Sequence, residues 1–250
     1  MTEHGELNLR EWSAPETRTP DEVRDGCVDA RGADWSNRKL GSLDLKGAKL
    51  CRCDIRGCDL SRCDLEGADL RLAIYDHRTS VPESFNLKTS GAVGPGAKLN
   101  GAYLNNTDLR GMDLRGAVFL GSYLSGTDLS GAVLDGVSFS GSDLRQAILR
   151  GAMCRGTRFG TCEMDFTDLR GADLEGASLE TMESIKGADF SLCSGLDDKI
   201  ETLLKRSVEE LDCWNPFTRS TTRMSLESLR SQTEASVSYT HLRAHETRIH

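Results

Sequence analysis

Apolar side chains recur every five residues along most of this chain. From Trp35 the pattern passes through Leu40, Leu45, Leu50, Ile55, Leu60, Leu65 and Leu70 to Tyr75, nine units. It resumes at Leu99 and runs without a slip through Leu104, Leu109, Leu114, Phe119 and their successors to Leu179, seventeen units. Two residues before most centres sits a small side chain, as at Ala48, Cys53, Cys58, Cys63, Ala68, Ala102, Thr107, Ala117, Ser122 and Ala172. One residue before is often Asp, and two after is usually Gly. A helix repeats at about 3.6 residues and a strand at about 2. One long regular element therefore cannot bury every centre on one face, and the chain must turn at each unit.

Units such as Ala172-Asp173-Leu174-Glu175-Gly176 resemble the pentapeptide-repeat family, whose pattern is a small residue, Asp or Asn, Leu or Phe, and two variable positions; about 26 units match. The resemblance implies an all-β fold, a right-handed quadrilateral parallel β-helix. In this pentapeptide-repeat solenoid four units make one coil, and each centre and the residue two before it turn inward. Positions twenty apart should then stack. Leu99, Phe119, Phe139, Phe159 and Leu179 would share one face, and Trp35, Ile55 and Tyr75 would do the same in the first run. The repeats span 31–192. The 24 residues from Tyr75 to Leu99 make one coil plus four. Residues 76–98 therefore read as one irregular coil joining both runs into a continuous solenoid, bulging near Pro82 or around Gly94-Pro95-Gly96. Two rods with a hinge is the alternative.

A solenoid exposes backbone and apolar side chains at its ends and needs caps. Leu196, Ile200, Leu203, Leu204, Val208 and Leu211 follow at helical spacing, with Ser194 placed to cap the start and Asp197 and Asp198 near the positive end of the helix dipole. This predicts a C-terminal capping α-helix over 194–213, although in some family members such a segment makes a dimer. Residues 1–30 hold eight Asp and Glu against three Arg, with Pro15 and Pro20, and read as a partly disordered segment leading into an N-terminal cap. Residues 214–250 are rich in Ser, Thr and Arg and read as a disordered tail. Its stretch SYTHLRAHETR resembles a translated cDNA-library adapter, which would strip meaning from the metal-like spacing of His241, His245 and His250.

Chemistry is sparse. The nine cysteines are too few and odd in number for a disulfide scaffold, and there is no secretory leader or long apolar run, so a cytoplasmic chain with reduced thiols is expected. Cys53, Cys58 and Cys63 fall at the inward small position, where a thiol packs as a small hydrophobe; zinc sites favour paired short spacings, so no metal is expected. The repeats offer no nucleophile with a base and an orienting group. His77 reads as a solvated loop residue, and glycines repeating every five residues are not a phosphate loop. The expectation is a protein without catalysis or cofactor.

Binding through the outward positions remains. Some bacterial members of the family mimic duplex DNA and inhibit type II topoisomerases such as gyrase, which supplies an alternative reading. The charge argues against it. Residues 31–190 hold 22 acidic against 20 basic side chains, and the net −8 of the whole chain comes mostly from residues 1–30. Acidic columns at Asp108, Asp128 and Asp168 have basic neighbours at Arg110, Arg150 and Arg170, which cancels the long-range field a phosphate mimic requires. No face is uniformly basic either, so neither direct nucleic-acid binding nor membrane binding is expected. The exposed apolar positions are more telling. Tyr103 and Tyr123 should stack outward on one side, with Val118 and Leu120 flanking a centre on the adjacent side. The chain therefore reads as a protein-protein interaction scaffold with this partner surface, and a homodimer is one use of it; the competing reading has another segment folded over these residues.

Overall fold

The computed structural model describes residues 28–232. The expectations for residues 1–27 and 233–250, including the acidic N-terminal segment and the adapter-like stretch, lie outside them. The chain divides after Leu99 into two compact units.

In the first unit, isolated parallel bridges join residues twenty apart: Asp29 to Lys49, Asp34 to Asp54, Lys39 to Asp59 and Asp44 to Asp64, after which the series repeats one coil higher. Each bridge lies one residue before an apolar centre. Neighbouring residues in a strand point to opposite sides, so the bridge residue faces out while the centre and the residue two before it face in. The burial agrees: Trp35, Leu45, Leu50, Ile55, Leu60 and Leu70 are fully buried. A turn then closes each unit, as where the Ala48 N–H donates to Leu45 O at 3.0 Å. The third residue of this turn, Gly47, has φ +62°, the conformation that the corresponding position of a type II turn requires. That requirement accounts for the glycine two places after so many centres. Asn37, Arg52 and Leu72 adopt the same positive φ at corners that lack one.

The irregular stretch leaves the ladder after Ser80, which pairs with Asp59 at a separation of 21, and rejoins it at Val93, which pairs with Ile74 at a separation of 19. Among the described residues, neither Asp64 nor Asp69 bridges to a later residue. Pro82 lies in this excursion, and a 3-10 turn over Leu87–Thr89 buries Leu87. Gly94 then passes so close to Tyr75 that a Cβ there would lie 2.8 Å from the ring, and the Tyr75 hydroxyl donates to Pro95 O at 2.8 Å.

The second unit keeps the twenty-residue return from the Tyr103–Tyr123 bridge to the Arg158–Ser178 bridge. Phe119, Phe139 and Phe159 are fully buried and stack, with ring centroids 5.1 and 5.7 Å apart. Burying one such side chain stabilises by about 1.5–3 kcal/mol. Polar residues at the inward small position also contribute. Thr127 donates to Leu104 O at 2.7 Å, Thr157 to Leu134 O at 2.8 Å and Thr167 to Leu144 O at 2.9 Å, each reaching back into the preceding coil. The Cys162 and Cys193 thiols do likewise toward Phe139 O and Leu169 O. After Ser178 one extra residue enters. Glu163 pairs with Ser184, and the N–H groups of both Glu183 and Ser184 point at Cys162 O, the two-against-one pattern of a β-bulge.

Beyond the ladder the chain departs from the single helix expected over 194–213. It forms two one-turn helices, α1 (Ile200–Leu203) and α2 (Val208–Leu211). Ser194 stays in the ladder, paired with Asp173, rather than capping a helix. The break falls at Ser207, whose extended backbone and hydroxyl, accepting from the Glu210 N–H, start a new helix. A Ser followed three residues later by Glu is a helix-start signature, and here it overrides the apolar spacing. Val208, expected on the buried face, is 66% exposed. Residues 214–232 are not a disordered tail. Strands β1 (Trp214–Asn215) and β2 (Ser220–Thr221) pair antiparallel, and a helix α3 covers 222–232 with Leu226 and Leu229 buried.

This segment holds the last coil through side chains. Arg206 donates to Met182 O at 3.1 Å and Glu183 O at 2.9 Å, and Glu210 accepts from the Ile185 N–H at 3.0 Å. Asn215 donates to Gly187 O at 2.8 Å, Thr222 donates to Ile185 O at 3.0 Å, and the Phe190 N–H donates to the Ser225 hydroxyl. Among the described residues no helix is long and apolar enough to cross a membrane.

Candidate interaction surface

The outward positions of the second unit carry the expected aromatic pair. The parallel bridge sets the Tyr103 and Tyr123 backbones side by side, and their rings stack with centroids 4.7 Å apart and planes 3° from parallel. Tyr103 is 72% exposed and Tyr123 43%. Val118 and Leu120 flank the buried Phe119; Val118 is half-buried and Leu120 is 43% exposed. The Gly101 N–H donates to Leu120 O at 2.9 Å, which places the turn after Leu120 over the turn before Tyr103.

The tyrosines belong to a longer column. Bridges run from Tyr103 to Tyr123, on to Asp143, Glu163 and then Ser184, so two aromatic rungs are followed by two carboxylates on one edge of the coil. Beside them lies a shallow recess of about 180 Å³ lined by Gly121, Gly141, Tyr123, Asp143, Arg145, Thr161 and Glu163. Carrying the outward reading of Tyr103 and Tyr123 on by twenty to Asp143 and Glu163 is the signal that exposes this column.

Much of the outward charge is neutralised locally, the Asp143 rung of this column included. Where Asp precedes a centre and Arg follows it, the guanidinium turns back onto the carboxylate, as in Asp54–Arg56, Asp69–Arg71, Asp108–Arg110, Asp113–Arg115 and Asp143–Arg145, at 2.5–2.7 Å. The Arg110 hydrogen bonds hold the Asp108 carboxyl down to about 2. Hydrogen bonds from Ser61, with help from Ser80, do the same for Asp59. Burial pushes Asp168 up, but Arg170 and Arg150, each at 2.7 Å, outweigh it and keep the carboxyl below its ordinary value.

Cys53, Cys58 and Cys63 occupy the inward small position on three successive sides of a coil, and all are buried. Cys53 donates to Ala30 O at 2.6 Å, so the thiol also serves as a donor, a role that reading it as a small hydrophobe leaves out. Burial pushes the thiols of Cys53 and Cys58 up to about 11 and about 12, and both stay protonated at neutral pH. The cysteines among the described residues are all free thiols. Among those residues no group of three or more His, Cys, Asp and Glu is arranged to hold a metal. His77 is exposed. One apolar set escapes the repeat pattern. Leu192, Trp214, Phe217 and Met224 are 54–70% exposed in the last coil and the segment that follows, and of these only the aromatic residues stand out in the sequence.

Short outward-facing bridges, inward leucine or phenylalanine, and a turn every five residues define a β-helix solenoid built from five-residue repeats. A family model described as pentapeptide repeats matches in eight copies over 39–74, 96–131, 113–151, 128–164 and 149–180, within the bridged coils. The chain belongs to the pentapeptide-repeat family. Solved structures similar to it include a pentapeptide repeat protein of the Arabidopsis thaliana thylakoid lumen, at 27% identity over 52% of this chain and 88% of that one, TM-score 0.48. Another is HetL, a pentapeptide repeat protein involved in heterocyst differentiation regulation from the cyanobacterium Nostoc sp. strain PCC 7120, at 25% identity over 66% and 82%, TM-score 0.22. A third is Rfr23 from the cyanobacterium Cyanothece 51142, at 21% identity over 50% and 85%, TM-score 0.28. No curated protein matches the chain.

Proposed function

We propose that this protein is a non-catalytic interaction scaffold. Its repeats form right-handed quadrilateral β-helix, the segment 196–232 caps the last coil, and Tyr103, Val118, Leu120 and Tyr123 meet a protein partner. The stacked, outward tyrosine pair carries the reading. Rings held parallel by the backbone lose little freedom on binding, and exposed aromatic patches of this kind mark partner surfaces. The return every twenty residues, in four steps of five, supports the four-sided geometry. The side-chain hydrogen bonds from Arg206, Asn215 and Thr222 to the last coil support a capping role for the segment. Free buried thiols fit a reducing, cytoplasmic setting. The DNA-mimic alternative gains nothing from the charge arrangement, because Asp108, Asp113 and Asp143 each spend their charge on an adjacent arginine.

The test compares the full chain with a Tyr103→Ser/Tyr123→Ser variant. Both positions point outward, so unchanged circular dichroism is expected. Light scattering then asks whether a self-associated parent becomes monomeric in the variant, and affinity capture asks which proteins bind the parent alone. Identical assembly and identical captured proteins would remove the tyrosine surface from consideration, and inhibition of a topoisomerase by both forms would favour mimicry.

A further inference from the structure

Resting on that reading, the geometry points to the chemistry of the partner: we propose that the column Tyr123–Asp143–Glu163 receives an arginine side chain of an incoming protein segment. Tyr103 covers one face of Tyr123, and the rings are parallel, so the other face of Tyr123 looks along the column toward the next rung, Asp143. The recess opens at that place. Its lining includes Gly121 and Gly141, which contribute no side chain, together with Tyr123, Thr161 and the charged trio Asp143, Arg145 and Glu163.

The charge of the lining is net negative, two carboxylates against one guanidinium. Arg145 is itself half-exposed and already pairs with both carboxylates, 2.7 Å from Asp143 and 3.3 Å from Glu163, so an incoming cation would share Glu163 with it. Asp143 is largely covered, at 16% side-chain exposure, whereas Glu163 is 50% exposed and has room for a second partner. The other outward edge of the same side continues from Arg145 to Asp165, which adds a further carboxylate, and then to the exposed Lys186 at the next rung. An aromatic face beside a half-exposed carboxylate suits a planar cation that can stack and donate in a fork at the same time. Arginine does both, whereas the ammonium of lysine is a point charge that has neither a plane to stack nor a fork to donate.

The experiment uses the full chain with carbon-13 in the tyrosine rings, followed by NMR. Only four tyrosines occur, so Tyr→Phe variants assign the signals. The probes are acetyl-arginine methylamide, its neutral isostere acetyl-citrulline methylamide, and acetyl-leucine methylamide. The expected result is a saturable shift of the Tyr123 signals with the arginine probe, little with citrulline, and none at the buried Tyr75. Glu163→Gln, at a half-exposed position where the fold survives, should weaken binding at least about fivefold. Equal shifts with arginine and citrulline, or an unaltered affinity in Glu163→Gln, would overturn the arginine site. If leucine alone shifts Tyr103 and Tyr123, the interaction surface stands and the cationic partner falls; if no probe shifts them, both fall.

Discussion

The coils of 103–178 and the segment 196–232 belong to the same unit and are held together by opposite means. In the coils, one backbone ladder repeats every twenty residues, and any Leu, Phe, Ala, Thr or Cys of suitable size serves at an inward position. In the segment, hardly any backbone ladder reaches the coil, and single side chains such as Arg206, Glu210, Asn215 and Thr222 make the attachment. Redundant structure therefore tolerates substitution by size, whereas the attached segment depends on the identity of a few polar residues.

The comparison breaks most severely at the core. Phe139 sits between Phe119 and Phe159, so Phe139→Ala removes both stacks at once. A loss of about 3–5 kcal/mol is expected in urea unfolding, with every probe of the second unit reporting one transition; a change below about 1 kcal/mol would show that the stack is dispensable. Arg206→Ala should cost less, about 1.5–3 kcal/mol, because it removes charged hydrogen bonds to Met182 O and Glu183 O. Hydrogen exchange should accelerate at 182–187 and 196–232 while 123–160 stays protected. Uniform acceleration would mean that segment and coil open together.

The smallest effect concerns the outward carboxylates. Asp59 and Asp108 have folded values of about 2, below the ordinary value near 3.9. Their contribution is therefore present above about pH 4 and lost as pH falls toward 2. Both are surface groups, so thermal melts should drop only slightly through that window. Asp108→Asn should flatten part of the decline, and an unchanged pH profile in that variant would show that the Arg110 pair contributes nothing.

The same contrast explains what could be read from residues alone. The five-residue period was legible because inward positions leave their mark on side-chain size, and the phenylalanine face followed by counting twenty. The bulge at Glu183 was not, since an extra residue is visible only through the pairing of Ser184 with Glu163. The end of the chain departs from the apolar spacing for a related reason. Ser207 and Glu210 carried a helix-start signal that the apolar spacing masked, and the polar run around Thr222 and Ser225 looked like a solvated tail when its hydroxyls bind the coil. Of the surface, Tyr103 and Tyr123 stood out as aromatic exceptions. The recess beside them did not, because outward residues obey no size rule and their meaning comes only from stacking on their neighbours.

The twenty-residue return also quantises length. Duplicating residues 124–143 would add one rung of about 4.8 Å and leave every outward column in line. The separation between the tyrosine pair and the attached segment would then grow by one fixed step, and deletion of the same stretch would shorten it by one. Insertions of one, two or three repeat units would rotate later columns onto a new side, as a misprinted ruler displaces every mark after the error, whereas a single extra residue is absorbed as a bulge, as at Glu183. Homologous lengths should therefore cluster at whole coils, with odd residues confined to the two regions where this chain already carries them, the irregular stretch between Tyr75 and Val93 and the bulge at Glu183.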